Sequence, residues 1–76
     1  MAYRTIKTFT SAFGGFSYRV TSNGQEVHLQ RRAAGTESFR TFHTMNAAEW
    51  EKAAEKHGIF DPYNDNPAAL EHIAHG

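Results

Sequence analysis

The clearest pattern along the chain is strict alternation. Phe16, Tyr18 and Val20 alternate with Ser17, Arg19 and Thr21, and Val27 and Leu29 alternate with Glu26, His28 and Gln30. A period of two marks strands with one buried and one polar face. Asn23-Gly24 separates the two runs, and this dipeptide predicts a two-residue hairpin with positive φ at both central positions. That turn would pair Val20 with Val27, Tyr18 with Leu29 and Phe16 with Arg31 on the core face. It would set Thr21 opposite Glu26, Arg19 opposite His28, and Ser17 opposite Gln30 on the polar face.

Residues 2–10, rich in β-branched and aromatic types, read as a preceding strand broken by the Gly14-Gly15 pair. A second hairpin is expected at Ala33-Ala34-Gly35. A three-residue loop there places Phe39 across from Leu29 in the core and turns Phe42 outward; a different loop length reverses the two. From Met45 the period becomes helical. Asn46 and Glu49 have the spacing of a capping box, and Met45 with Trp50 that of a hydrophobic staple. Ala47, Trp50, Ala53, Ala54 and His57 line one face of a helix ending at Gly58. Ile59 and Phe60 return to the core. After the loop at residues 61–66, Asn66-Pro67 starts a short helix with Leu70 and Ile73 facing inward. Strands followed by helices predict an α+β fold: a three- to four-stranded antiparallel sheet packed on two C-terminal helices. The 76 residues read as a single domain, with the sheet in 1–45 and the helices in 46–76.

Charge adds a second division at the same place. The net charge is zero, yet Arg4, Lys7, Arg19, Arg31, Arg32 and Arg40 oppose only Glu26 and Glu37 in the first part. Lys52 and Lys56 oppose Glu49, Glu51, Glu55, Asp61, Asp65 and Glu71 in the second. A basic sheet laid on acidic helices is the expectation, with an acidic or polar partner on the sheet. Arg19, His28, Gln30 and Arg32, with Arg4 or Arg40 nearby, form the candidate contact stripe. Exposed Phe9, Phe13 or Phe42 would add aromatic anchors. The mixture suits a protein partner or nucleic acid.

Other chemistry finds little support. There is no cysteine, which excludes disulfides and thiolate zinc sites. His72-x-x-His75 has helical ligand spacing but sits at a chain end without a sufficient ligand set, so no metal or other cofactor is expected. Asp61, Asn64, Asp65 and Asn66 resemble a calcium loop in composition only, since Tyr63, Asn66 and His72 occupy its third, sixth and twelfth positions. No nucleophile elbow or phosphate loop occurs, and no enzyme is expected. No apolar run approaches the ~20 residues of a membrane span. The chain reads as soluble and cytoplasmic, with no membrane partner.

Two resemblances bear on function. Residues 16–57, with an aromatic–Arg–Val strand, the Asn23-Gly24 turn, a basic strand, Phe39-Arg40-Thr41-Phe42-His43-Thr44 and Ala47-Ala48-Glu49-Trp50, resemble the arm-binding N-terminal domain of tyrosine recombinases. That likeness implies a sheet laid in the DNA major groove by Arg19, His28, Gln30 and Arg32. Nearly the whole chain resembles the small four-stranded, two-helix anti-CRISPR proteins of phages that act on type I systems. Ile6-Lys7, Asn23-Gly24, Gly35, Phe42, Glu49-Trp50 and the short terminal helix carry it. This likeness implies an inhibitor in the cytoplasm of an infected bacterium, whose sheet binds a subunit of the CRISPR effector complex. The family's two contact tyrosines and glutamate fall by layout near Thr8, Thr21 and Arg31, and none is retained here.

Overall fold

The structure, a computed structural model, describes residues 2–76. Strands β1 (Arg4–Thr8), β2 (Phe16–Ser22), β3 (Glu26–Ala33) and β4 (Arg40–Asn46) precede helices α1 (Ala47–His57) and α2 (Ala68–His75). The strands form one antiparallel sheet in chain order. Tyr18, Val20, Val27 and Leu29 bury their side chains on its inner side together with Phe9, Trp50, Ala54, Ile59, Ala69 and Leu70. Full burial of a large aliphatic side chain contributes about 1.5–3 kcal/mol, so this cluster is the main stabilising element of a small domain.

The alternating runs form the expected strands, but the turn between them moves. Its centre is Gly24-Gln25, with Val20 opposite Leu29, Arg19 opposite Gln30 and Tyr18 opposite Arg31. Gly24 takes a positive φ of 94°, whereas among the described residues none other than glycine has positive φ. Asn23 uses its side chain instead. Its Oδ1 accepts from the backbone N–H groups of Gln25 at 2.9 Å and Glu26 at 2.8 Å, a local bond that competes with the expected turn geometry. The register moves by an even number of positions, so every side chain keeps its face. Gly14 and Gly15, with φ of 61° and 83°, form the turn with positive φ at both centres, closed by paired Phe13–Phe16 bonds of 3.0 and 3.1 Å.

Phe39 and Phe42 exchange the places that the three-residue loop implied. The connection between β3 and β4 spans residues 34–39, and His43, not Phe39, stands opposite Leu29. Phe42 is the extra residue of a bulge between the Leu29–His43 and Gln30–Thr41 pairs. A bulge re-aims a side chain, and Phe42 packs against the core with its ring edge-on to Tyr18 at 5.8 Å. Phe9 is likewise buried, at 5% exposure, rather than free as an anchor. Phe60 departs in the other direction. It is 55% exposed, resting edge-on against Trp50 at 6.0 Å, because the turn after Gly58 buries Ile59 alone.

Asn46 caps α1 by accepting from Glu49 N–H at 2.8 Å. Gly58 ends it in the left-handed conformation, with Ile59 N–H returning to the Ala54 carbonyl at 2.9 Å. Pro67 flanks α2, and the Asn66 side chain accepts from Ala68 N–H. Glu71 fastens α2 to the sheet. Its Oε1 accepts from Tyr18 Oη at 3.0 Å and Arg31 Nη1 at 2.7 Å, and its Oε2 lies 3.2 Å from His75 Nε2. Burial pushes the Glu71 pKa up, but the bonds from Tyr18, Arg31 and His75 outweigh it and hold the carboxyl below its usual range.

Candidate functional site

The register sorts the polar side chains into rows across the outer face of the sheet. One row is Thr5, Thr21, His28 and Thr44; the next is Thr8, Arg19, Gln30 and Thr41; Ser17 and Arg32 begin the third. Glu26, paired with Asn46 beyond the first row, brings one carboxylate to this face at its turn end. Both helices follow β4 and supply core residues to the inner side, which leaves the outer face without a helix over it, although Thr21 within it is buried.

The middle and third rows form one connected constellation. Arg19 Nε donates to Gln30 Oε1 at 2.7 Å, and Gln30 Nε2 donates to Thr41 Oγ1 at 3.1 Å. The chain fixes the Arg19 fork from one side. From the other side lies Phe39, whose ring centroid is 4.2 Å from the Arg19 guanidinium carbon and 5.2 Å from that of Arg32. Cation–π contacts at this distance contribute about 0.5–1 kcal/mol when exposed. The aromatic side chain and both arginines therefore present one semi-rigid patch. In the first row, Tyr3 stacks on His28 with ring centres 4.5 Å apart and Oη 3.2 Å from Nε2.

Of the six sequence-derived contact residues, Arg19, His28, Gln30 and Arg32 share this face. Arg4 and Arg40 do not. They stand in register with Ser22 and Arg31, positions on the inner side of the sheet. Alternation explains both: each is an odd number of positions from the outward residues of its own strand once the bulges at Ile6 and Phe42 are counted. Arg31 also belongs to the inner side, between the rings of Phe16 and Phe42 at 4.9 Å from each, and Lys7 lies over Phe9. Four of the six basic residues of the sheet half thus line its inner side or edges, and the outer face carries two.

No known family model, characterised relative or solved structure matches the chain. The geometry alone defines the site. It brings together two planar cations, two aromatic rings, an amide, an imidazole and a set of hydroxyls. Among the described residues no three His, Asp or Glu side chains come together as a metal would require, and no helix is long and apolar enough to cross a membrane.

Phe39 and Tyr3 are the members that the sequence pattern missed. Phe39 required the length of the 34–39 connection, which no local signal sets. Tyr3 required the pairing of β1 with β2, whose register passes through a bulge between Thr5 and Lys7.

Proposed function

We propose that this chain is a non-catalytic binding protein that engages another protein through the outer face of its sheet. The carrying observation is the Arg19–Phe39–Arg32 patch, with ring-to-guanidinium distances of 4.2 and 5.2 Å. Arginine and aromatic residues dominate protein–protein hot spots, and a patch already ordered loses less side-chain entropy on binding. Two cations are few for phosphate-driven affinity, so the balance favours a protein surface with acidic groups over duplex DNA.

The reading that fits this surface and the family resemblance is an inhibitor of the anti-CRISPR kind. It would occlude a type I CRISPR surveillance complex or its nuclease in the cytoplasm of an infected bacterium. Four strands in chain order followed by two helices support it, as does an outer face with no helix over it. The likeness is one of layout: the family's contact residues are not retained, and the chemistry offered here is arginine-based rather than tyrosine-based.

The test is capture of a type I effector complex on the immobilised protein, before and after nuclease treatment. The inhibitor reading expects retention of a defined protein subunit after nuclease, lost on Arg19→Glu or Arg32→Glu. Retention that disappears with nuclease transfers the function to nucleic-acid binding, as the recombinase-like layout implied. Retention unaffected by either charge reversal removes the outer face as the site.

A further inference from the structure

The β3–β4 end of the sheet carries a second feature, lined from the inner side and reached at its rim by Arg32 and Thr41 of the outer face. Beside the β3–β4 connection lies a cleft of about 590 Å³, within the range of small-molecule sites. Phe16, Phe42, Arg31 and Arg40 supply its inner-side wall, and Glu37 and Ser38 its loop wall.

We infer that this cleft is a site for an oxyanion carried on an apolar or aromatic body. Arg31 is held in place from three directions. Its guanidinium carbon is 4.9 Å from the centroids of both Phe16 and Phe42, and its Nη1 bonds Glu71 Oε1 at 2.7 Å. Among the described residues no hydrogen bond engages its other N–H groups. Arg40 stands opposite it in the ladder, on the same side of the sheet, and forms no ion pair among those residues. A fixed guanidinium fork beside a second one matches the geometry of a carboxylate or phosphate, and the preset fork loses little entropy on binding. Arg31, Arg32 and Arg40 outnumber Glu37 and the Glu71 that pairs with Arg31, so the cleft favours an anion. The half-buried rings of Phe16 and Phe42 favour an apolar extension of that anion over inorganic phosphate alone.

Carboxylate and phosphate are the two sources of this chemistry, and a titration of isotope-labelled protein distinguishes them. N-acetylphenylalanine and adenosine monophosphate are the organic probes, with inorganic phosphate as the bare oxyanion. The expected result is saturable movement of the Phe16 and Phe42 ring signals by at least one organic probe, in the millimolar range. The probe that binds names the source. Arg40→Ala, an exposed edge substitution, should weaken that binding about tenfold, the loss of one charge-assisted contact. Arg19→Ala, on the opposite face, should leave it unchanged. No saturable movement with either organic probe overturns the proposal. So does binding that survives Arg40→Ala intact, and so does inorganic phosphate binding as tightly as the organic probes. None of these outcomes depends on the partner of the outer face.

Discussion

At the scale of single residues, Phe39 decides what the outer face can do. With its ring between Arg19 and Arg32, it orders two side chains that would otherwise sample many rotamers in water. Phe39→Ala should leave the fold intact, since the residue is not part of the core, while lowering partner affinity by at least tenfold, as hot-spot truncation does. Calorimetric titration against the captured partner checks this, and a shift in the melting temperature would show instead that Phe39 is structural. Asp65 has the opposite role. It accepts from the backbone and hydroxyl groups of both Thr10 and Ser11, tying the β1–β2 connection to the loop before α2. The Thr10 and Ser11 hydroxyls lower its pKa from 3.8 to about 2. A depressed folded pKa contributes stability that is present above the unfolded value and is lost as pH falls through the folded one. Stability should therefore drop between pH 3.8 and about 2, and Asp65→Asn should flatten thermal melts across that window. The cap residue Asn46 was readable from its spacing to Glu49 alone, and Asn46→Ala should cost about 1 kcal/mol in a denaturant melt. The Phe39 and Asp65 roles were not readable, because each joins positions whose contact depends on loop geometry.

At the scale of elements, alternation carried the face assignments of β2 and β3, even though the turn slid. Period-two patterning survives an even shift of register, so Tyr18, Val20, Val27 and Leu29 stayed buried while every pairing changed. β4 lacked that protection. Its bulge at Phe42 changes the parity midway, and no local signal in Arg40–Asn46 announces an extra residue. The short α2 illustrates a different limit. Leu70 and Ile73 mark its apolar side, but its attachment runs through Glu71, which reads in sequence as one more acidic residue on a solvated helix. Removing that carboxylate leaves Tyr18 Oη and the half-buried Arg31 without their acceptor, which costs about 1–3 kcal/mol. Glu71→Ala should lower global stability by that amount in urea. It should also raise amide exchange in α2 before the sheet, whereas uniform exchange would deny that this network docks the helix.

At the scale of the whole molecule, the sequence charge split resolves into a less simple distribution. Arg4, Lys7, Arg31 and Arg40 lie on the inner side or edges of the sheet, and only Arg19 and Arg32 are displayed on its outer face. Glu49, Glu51 and Glu55 remain exposed on α1. Zero net charge therefore describes a molecule with a modestly cationic outer face, its one carboxylate among the described residues being Glu26 at the turn end, and an acidic helical side. A face with two cations contacts about two phosphates at most, so any duplex DNA affinity should fall with salt at a log–log slope near 2, far below that of dedicated DNA binders. The central claim is that the Arg19–Phe39–Arg32 patch contacts a protein. The most direct measurement is gel filtration of nuclease-treated type I effector complex with the native chain, with Arg32→Glu and with the α1 control Glu51→Lys. Co-elution of the native chain and of Glu51→Lys, lost for Arg32→Glu, is the predicted result. Co-elution of all three, or of none, would contradict the account.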